Sequence, residues 1–111
     1  VAVRYETAGR PCAGLPAGMQ LAAYRIVQEA LTNTLKHAGP RARVDVSLDY
    51  DGARLVVEVA DTGAGRPGAD PVAGRGLRGM HERAAVYEGN VSAGPRPEGG
   101  WRVRLELPVA P

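Results

Sequence analysis

From Val44 to Val59 the apolar residues fall on every second position, and this alternation limits what the chain can become. Val44, Val46 and Leu48 alternate with Asp45, Ser47 and Asp49. Asp51-Gly52, a strong turn signal, interrupts the pattern, and Leu55, Val57 and Val59 alternate on the return. The pattern predicts an antiparallel hairpin with one apolar face, and such a face has to be covered. Trp101, Val103, Leu105 and Leu107 alternate with Arg102, Arg104 and Glu106 and form the clearest strand of the chain, ended by Pro108. Val1 to Glu6 and Val91 to Ala93 read as shorter strands, and Gly94 to Gly100 as a turn.

Two segments can cover the sheet. Met19, Ala23, Ile26, Val27, Ala30, Leu31 and Leu35 recur at helical spacing, predicting a helix from about Met19 to His37 that Gly39-Pro40 stops. Leu77, Met80, Ala84 and Tyr87 predict a second helix over Leu77 to Glu88, with Gly89 as its C-terminal stop. Thr7 to Gly18 and Asp61 to Gly76, both rich in Gly, Pro or Ala, read as loops. The order strand, helix, two strands, helix, two strands predicts an α/β (α+β) fold. Its form is a two-layer sandwich of a mixed, mostly antiparallel sheet with both helices on one face.

Composition narrows the function classes. At 111 residues the chain suits a single domain covering 1–111. Hydrophobic residues make up 44% and charged ones 23%, which argues against disorder. A net charge of +2 with no basic run argues against a nucleic-acid partner. Cys12 is the single cysteine, so no internal disulfide forms, which fits a reducing, cytoplasmic setting. No stretch approaches the roughly 20 apolar residues of a membrane span, and Arg4 and Glu6 sit where the apolar core of a signal peptide would be. A longer parent protein could still be membrane-anchored.

Three clusters carry chemistry. On the first helix, Arg25, Glu29, Asn33 and Lys36 follow at spacings of four, four and three, forming a polar stripe opposite the apolar one. A solvated face is the plain reading. Asn, however, is a poor mid-helix residue, and its amide oxygen is a hard ligand suited to Mg²⁺. Lys36 could hold a phosphate, and Glu29 could deprotonate a nucleophile. Asp61-Thr62-Gly63-Ala64-Gly65 follows the return strand of the hairpin. A carboxylate there could accept a hydrogen bond from an exocyclic amine, with the glycines letting a flat ring approach, or the segment could merely be a turn leaving the sheet. Gly74-Arg75-Gly76-Leu77-Arg78-Gly79 opens the second helix, where free amides attract phosphate. Its glycine spacing matches a dinucleotide fingerprint, but no strand leads directly into it, so a Rossmann unit is disfavoured.

Taken together, these clusters resemble the GHKL ATPase superfamily, and within it the sensor histidine kinases. Glu29-Ala30-Leu31-Thr32-Asn33-Thr34-Leu35-Lys36-His37-Ala38 resembles the N box, Asp61 to Gly65 the G1 box, and Gly74 to Leu77 with Arg78-Gly79-Met80 the G2 box. The form is closest to kinases that partner NarL-type response regulators, and the resemblance runs from about Leu21 to Pro108.

The resemblance implies a Bergerat fold and an ATP-binding catalytic domain of a two-component kinase, with ATP and Mg²⁺ as cofactors. Asn33 would hold Mg²⁺, and Asp61 would accept a hydrogen bond from the adenine amino group. Gly63 and Gly65 would shape the adenine pocket. Lys36 and His37 would contact phosphate or ribose. Gly74 and Gly76, followed by Leu77, would hinge the lid and offer backbone donors to phosphate. Glu29 would polarise the incoming histidine and is the catalytic candidate. Partners would be a dimerisation and phosphoacceptor domain absent from this chain and a NarL-type response regulator. The isolated domain would be a monomer and the parent a homodimer.

Three departures stand out. The segment from Arg66 to Ala73 is short and has no Phe. Family members often carry Thr after the Gly near the start of the last strand, whereas Trp101 follows Gly100 here. Neither His37 nor His81 lies in a phosphoacceptor context, so the chain is expected to bind ATP without phosphorylating itself. The other readings are an anti-sigma-factor serine kinase and a non-catalytic nucleotide-binding regulatory module.

Overall fold

The computed structural model describes residues 2–9, 15–37, 39, 41–51, 53–63 and 71–109. Its elements are β1 (Ala2–Gly9), α1 (Ala17–His37), β2 (Arg43–Asp51), β3 (Arg54–Asp61), α2 (Pro71–Ala85), β4 (Asn90–Pro95) and β5 (Trp101–Pro108). The strands form one five-stranded sheet in the order β1-β2-β3-β5-β4. β1 pairs parallel with β2, and the other pairings are antiparallel. α1 packs over β2 and β3, α2 packs beside β4, and the helices touch each other. The expected two-layer, mixed sandwich is therefore the observed one.

Register explains why the alternating residues build one core. Leu48 stands opposite Val57, Val57 opposite Leu105, and Leu105 opposite Val91. One row over, Val46, Val59, Val103 and Ala93 line up in the same way. These rows face the helices. Leu55, Leu105 and Leu107 are at most 1% exposed, and burying each contributes about 1.5–3 kcal/mol. Met19, Ile26 and Ala30 of α1 and Met80 and Ala84 of α2 close the core from above.

The opposite face is open and charged. Arg54 pairs with Glu106 at 3.2 Å, Arg104 with Glu106 at 3.0 Å, and Arg102 reaches Glu58 at 3.8 Å. Exposed pairs like these contribute about 0–1 kcal/mol each, so they keep this face polar rather than hold the fold.

Several boundaries move from their sequence positions. β1 continues to Gly9 and α1 begins at Ala17, which shortens the expected Thr7 to Gly18 loop from both ends. α2 begins at Pro71, six residues before Leu77, and ends at Ala85. Proline suits the first helical position because its φ is preset and no N–H is needed there. Gly39 stops α1 in the left-handed region at φ 91, as expected of it. After α2 the left-handed residue is Glu88, at φ 60, rather than Gly89. Gly89 serves a different need: a Cβ there would lie 2.6 Å from Leu107 Cδ2 and 2.9 Å from the Glu106 carbonyl. Leu35 is also misplaced by periodicity, being 63% exposed, while Thr34 takes the buried position at the end of the α1 stripe. The Gly52 and Pro40 turn signals, Cys12 and most of the glycine-rich loop after Gly63 lie outside the described residues.

Candidate functional site

Asp61 is the last residue of β3. Counting back in twos gives Val59, Val57 and Leu55, so its side chain falls on the helix-covered face where an apolar residue would otherwise sit. It is 2% exposed. Burying a carboxylate costs several kcal/mol unless hydrogen bonds replace its hydration.

Here they do. The Gly63 N–H donates to Oδ1 at 2.9 Å and the Trp101 N–H donates to Oδ1 at 3.2 Å. The Thr34 hydroxyl, reaching from α1, donates to Oδ2 at 3.2 Å. A carboxylate has about four lone-pair directions. Among the described residues Oδ1 is therefore doubly engaged, and Oδ2 retains capacity for one more donor.

The backbone around Asp61 is fixed as well. Arg96, in the turn between β4 and β5, donates from Nη1 to the Asp61 carbonyl at 2.8 Å. Arg96 Nε also pairs with Glu98 at 3.6 Å, and the Arg96 N–H donates to the Gly100 carbonyl at 2.9 Å. Gly100 has φ 94, and a Cβ on it would overlap the Asp61 carbonyl oxygen. Only glycine meets both conditions at once. The Thr62 N–H donates to the Arg43 carbonyl at 3.0 Å, and Thr62 Oγ1 accepts from the Arg43 N–H at 2.9 Å. The end of β3 is thus tied to β2, α1 and the β4–β5 turn.

The other sequence candidates distribute around this point. Glu29 and Asn33 are half-buried on α1, and Lys36 is exposed one turn further on. Asn33 directly precedes Thr34, so the helix turn that carries the amide is the one that touches Asp61. His37 is the last residue of α1, and its side chain is not among the described ones. Gly63 is buried, and Gly65 lies outside the described residues. Gly74 and Gly76 fall inside α2 rather than at its opening, because the helix starts at Pro71. Leu77 is half-buried against the core.

Thr34, Arg96 and Gly100 were not among the sequence candidates. Thr34 carried a usable signal, as it follows Ile26 and Ala30 at four-residue steps and so is a polar residue on a buried row. Arg96 and Gly100 carried none, since their roles depend on the turn folding back onto β3.

For a metal, no group of three or more His, Cys, Asp or Glu side chains converges among the described residues. The chemistry of Asn33 fits a Mg²⁺ that takes one neutral protein oxygen and draws its remaining ligands from phosphates and water. Among the described residues no helix is long and apolar enough to cross a membrane.

A buried acceptor thus stands at a sheet end, and the helix that touches it carries an amide and a carboxylate. The family model of histidine kinase-, DNA gyrase B- and HSP90-like ATPases matches residues 18–111, and the chain belongs to that family. It is 43% identical over 88 residues to the oxygen sensor histidine kinase NreB of Staphylococcus carnosus, a match covering 78% of this chain and 25% of that protein's length. The ATP-binding domain of PrrB from Mycobacterium tuberculosis matches at 30% identity and TM-score 0.68, over 98% of this chain and 82% of that one. The histidine kinase domain of the blue-light activated kinase from Erythrobacter litoralis EL346 shares the fold at TM-score 0.72 and 21% identity, over 97% of this chain and 52% of that one.

Proposed function

We propose that residues 1–111 form one domain that presents the ATP γ-phosphate to a histidine on a separate dimerisation domain. The phosphoryl group then passes to an aspartate of a response regulator. NreB, the relative at 43% identity, supports a sensor-kinase parent, and the form of the three boxes favours a NarL-type regulator. Asp61 carries the reading. Its Oδ2 accepts one bond among the described residues and would take a second from the 6-amino group of adenine, and its burial makes that contact selective, since a base without the amine leaves the acceptor unpaired.

Gly63 and Gly65 would shape the adenine pocket. Lys36 and His37 would contact phosphate or ribose, and Gly74 and Gly76, followed by Leu77, would hinge the lid and offer backbone donors to phosphate. Asn33 would hold Mg²⁺, which neutralises charge on the phosphate oxygens when bound. Glu29 accepts the proton of the attacking imidazole. The new N–P bond forms as the bond between the γ-phosphorus and the β,γ-bridging oxygen breaks, and ADP leaves with that electron pair. The isolated domain is a monomer, its parent is a homodimer, and it acts on the cytoplasmic side.

Titration of the chain with Mg-ATP and Mg-ADP tests the nucleotide reading, and heat exchange with neither would sink it. Glu29→Ala in the full-length kinase should retain nucleotide binding and lose phosphohistidine formation. An equal loss of both would make Glu29 a structural residue.

A further inference from the structure

Trp101 opens β5 directly after Gly100 and lies beside Asp61. The Trp101 side chain packs against the core, and the residue gives Asp61 only its main-chain N–H. The hydroxyl that reaches the carboxylate comes instead from the opposite layer, from Thr34 of α1 at 3.2 Å. We infer that Thr34 is a positioning residue of the nucleotide site, which holds the Asp61 carboxylate from the helix and leaves one lone pair of Oδ2 open to the purine amine. The inference rests on the reading of Asp61 as the acceptor of the purine amine.

The geometry gives Thr34 a distinct task. Both donors to Oδ1, Gly63 and Trp101, are main-chain groups. They anchor Oδ1, and because the carboxylate is planar this also sets where Oδ2 lies; Thr34 adds the third bond, on the oxygen proposed to meet the amine. Among the described residues Thr34 is the sole donor to Oδ2, the oxygen with a free lone pair. It occupies one lone pair of Oδ2, leaves the other for an incoming donor, and holds the carboxylate against rotation away from α1. Thr34 is 5% exposed, so no bulk water substitutes for its hydroxyl. It also follows Asn33 directly, so the same bond fixes the helix turn bearing the proposed metal amide relative to the base-reading acid.

The test compares ATP with purine riboside 5′-triphosphate, which lacks the 6-amino group, in titrations of wild type, Thr34→Val and Thr34→Ser. Thr34→Val should lose about tenfold in affinity for ATP, the scale of one hydrogen bond to a charged group. It should bind the amine-free nucleotide as wild type does, and Thr34→Ser should restore the preference for ATP. A thermal melt checks folding, and Thr34→Ala removes the same hydroxyl should valine disturb the packing. Equal loss for both nucleotides would overturn the inference in favour of a packing role, as would an unchanged ATP affinity. A wild-type protein with no preference for ATP would instead overturn the reading of Asp61, and the inference with it.

Discussion

Besides Gly63, two residues on, Asp61 draws its partners from residues 27, 35 and 40 positions away in sequence. Its loss should therefore be felt in binding before it is felt in folding. Asp61→Ala removes the purine acceptor, and a fluorescent ATP analogue should show no saturable binding while the far-ultraviolet circular dichroism stays native. Wild-type affinity in that variant would refute the assignment. Gly100→Ala should act differently. It forces a side chain into a left-handed backbone and against the Asp61 carbonyl, at roughly 1–3 kcal/mol or more, so both melting temperature and ATP affinity should fall. Arg96→Ala deletes one bond to that carbonyl and should weaken ATP binding by less than Asp61→Ala does. The carboxylate itself was legible in the sequence because Asp61 extends the alternation of Leu55, Val57 and Val59. Gly63 stood in the same glycine run and Thr34 was a polar residue on a buried row, but Arg96 and Gly100 were not legible, because a contact across 35 or more residues leaves no mark on local pattern.

At the scale of elements, α1 separates residues that periodicity alone treats as equals. Ile26 is 2% exposed and Leu35 is 63% exposed. Ile26→Ala should cost about 2–5 kcal/mol in urea unfolding, and Leu35→Ala should stay within about 0.5 kcal/mol. Comparable losses would mean that Leu35 is covered in solution. Strands were read well from sequence because a period of two fixes which face each residue takes. The start of α2 was read six residues late, since three glycines at 74, 76 and 79 mask a helix in any propensity argument. The left-handed turn after α2 was assigned to Gly89, the residue type that favours it, whereas Glu88 adopts it and Gly89 makes room for Leu107.

Across the whole molecule, stability is unevenly spread. β3 and β5 lie between neighbours and bury every second residue, whereas all eight residues of β1 are exposed and it pairs with β2 alone. Amides of β1 should exchange with deuterated solvent well before those at the centre of β3 and β5. Uniform protection across the sheet would show that β1 is held by more than its ladder. Fold class and layer order followed from the sequence because they depend on which faces are apolar. The closing of the β4–β5 turn onto the end of β3 did not, because it depends on two strands that meet only in the assembled sheet.

The parity of β3 has one last consequence. A hairpin between β2 and β3 misaligned by a single position would turn the acid out to the charged side and bring Glu58 in among the valines. Such a chain would have no acceptor for adenine beneath α1. If Asp61 reads the purine as proposed, saturable nucleotide binding would report that the two strands have zipped together in the one alignment that works.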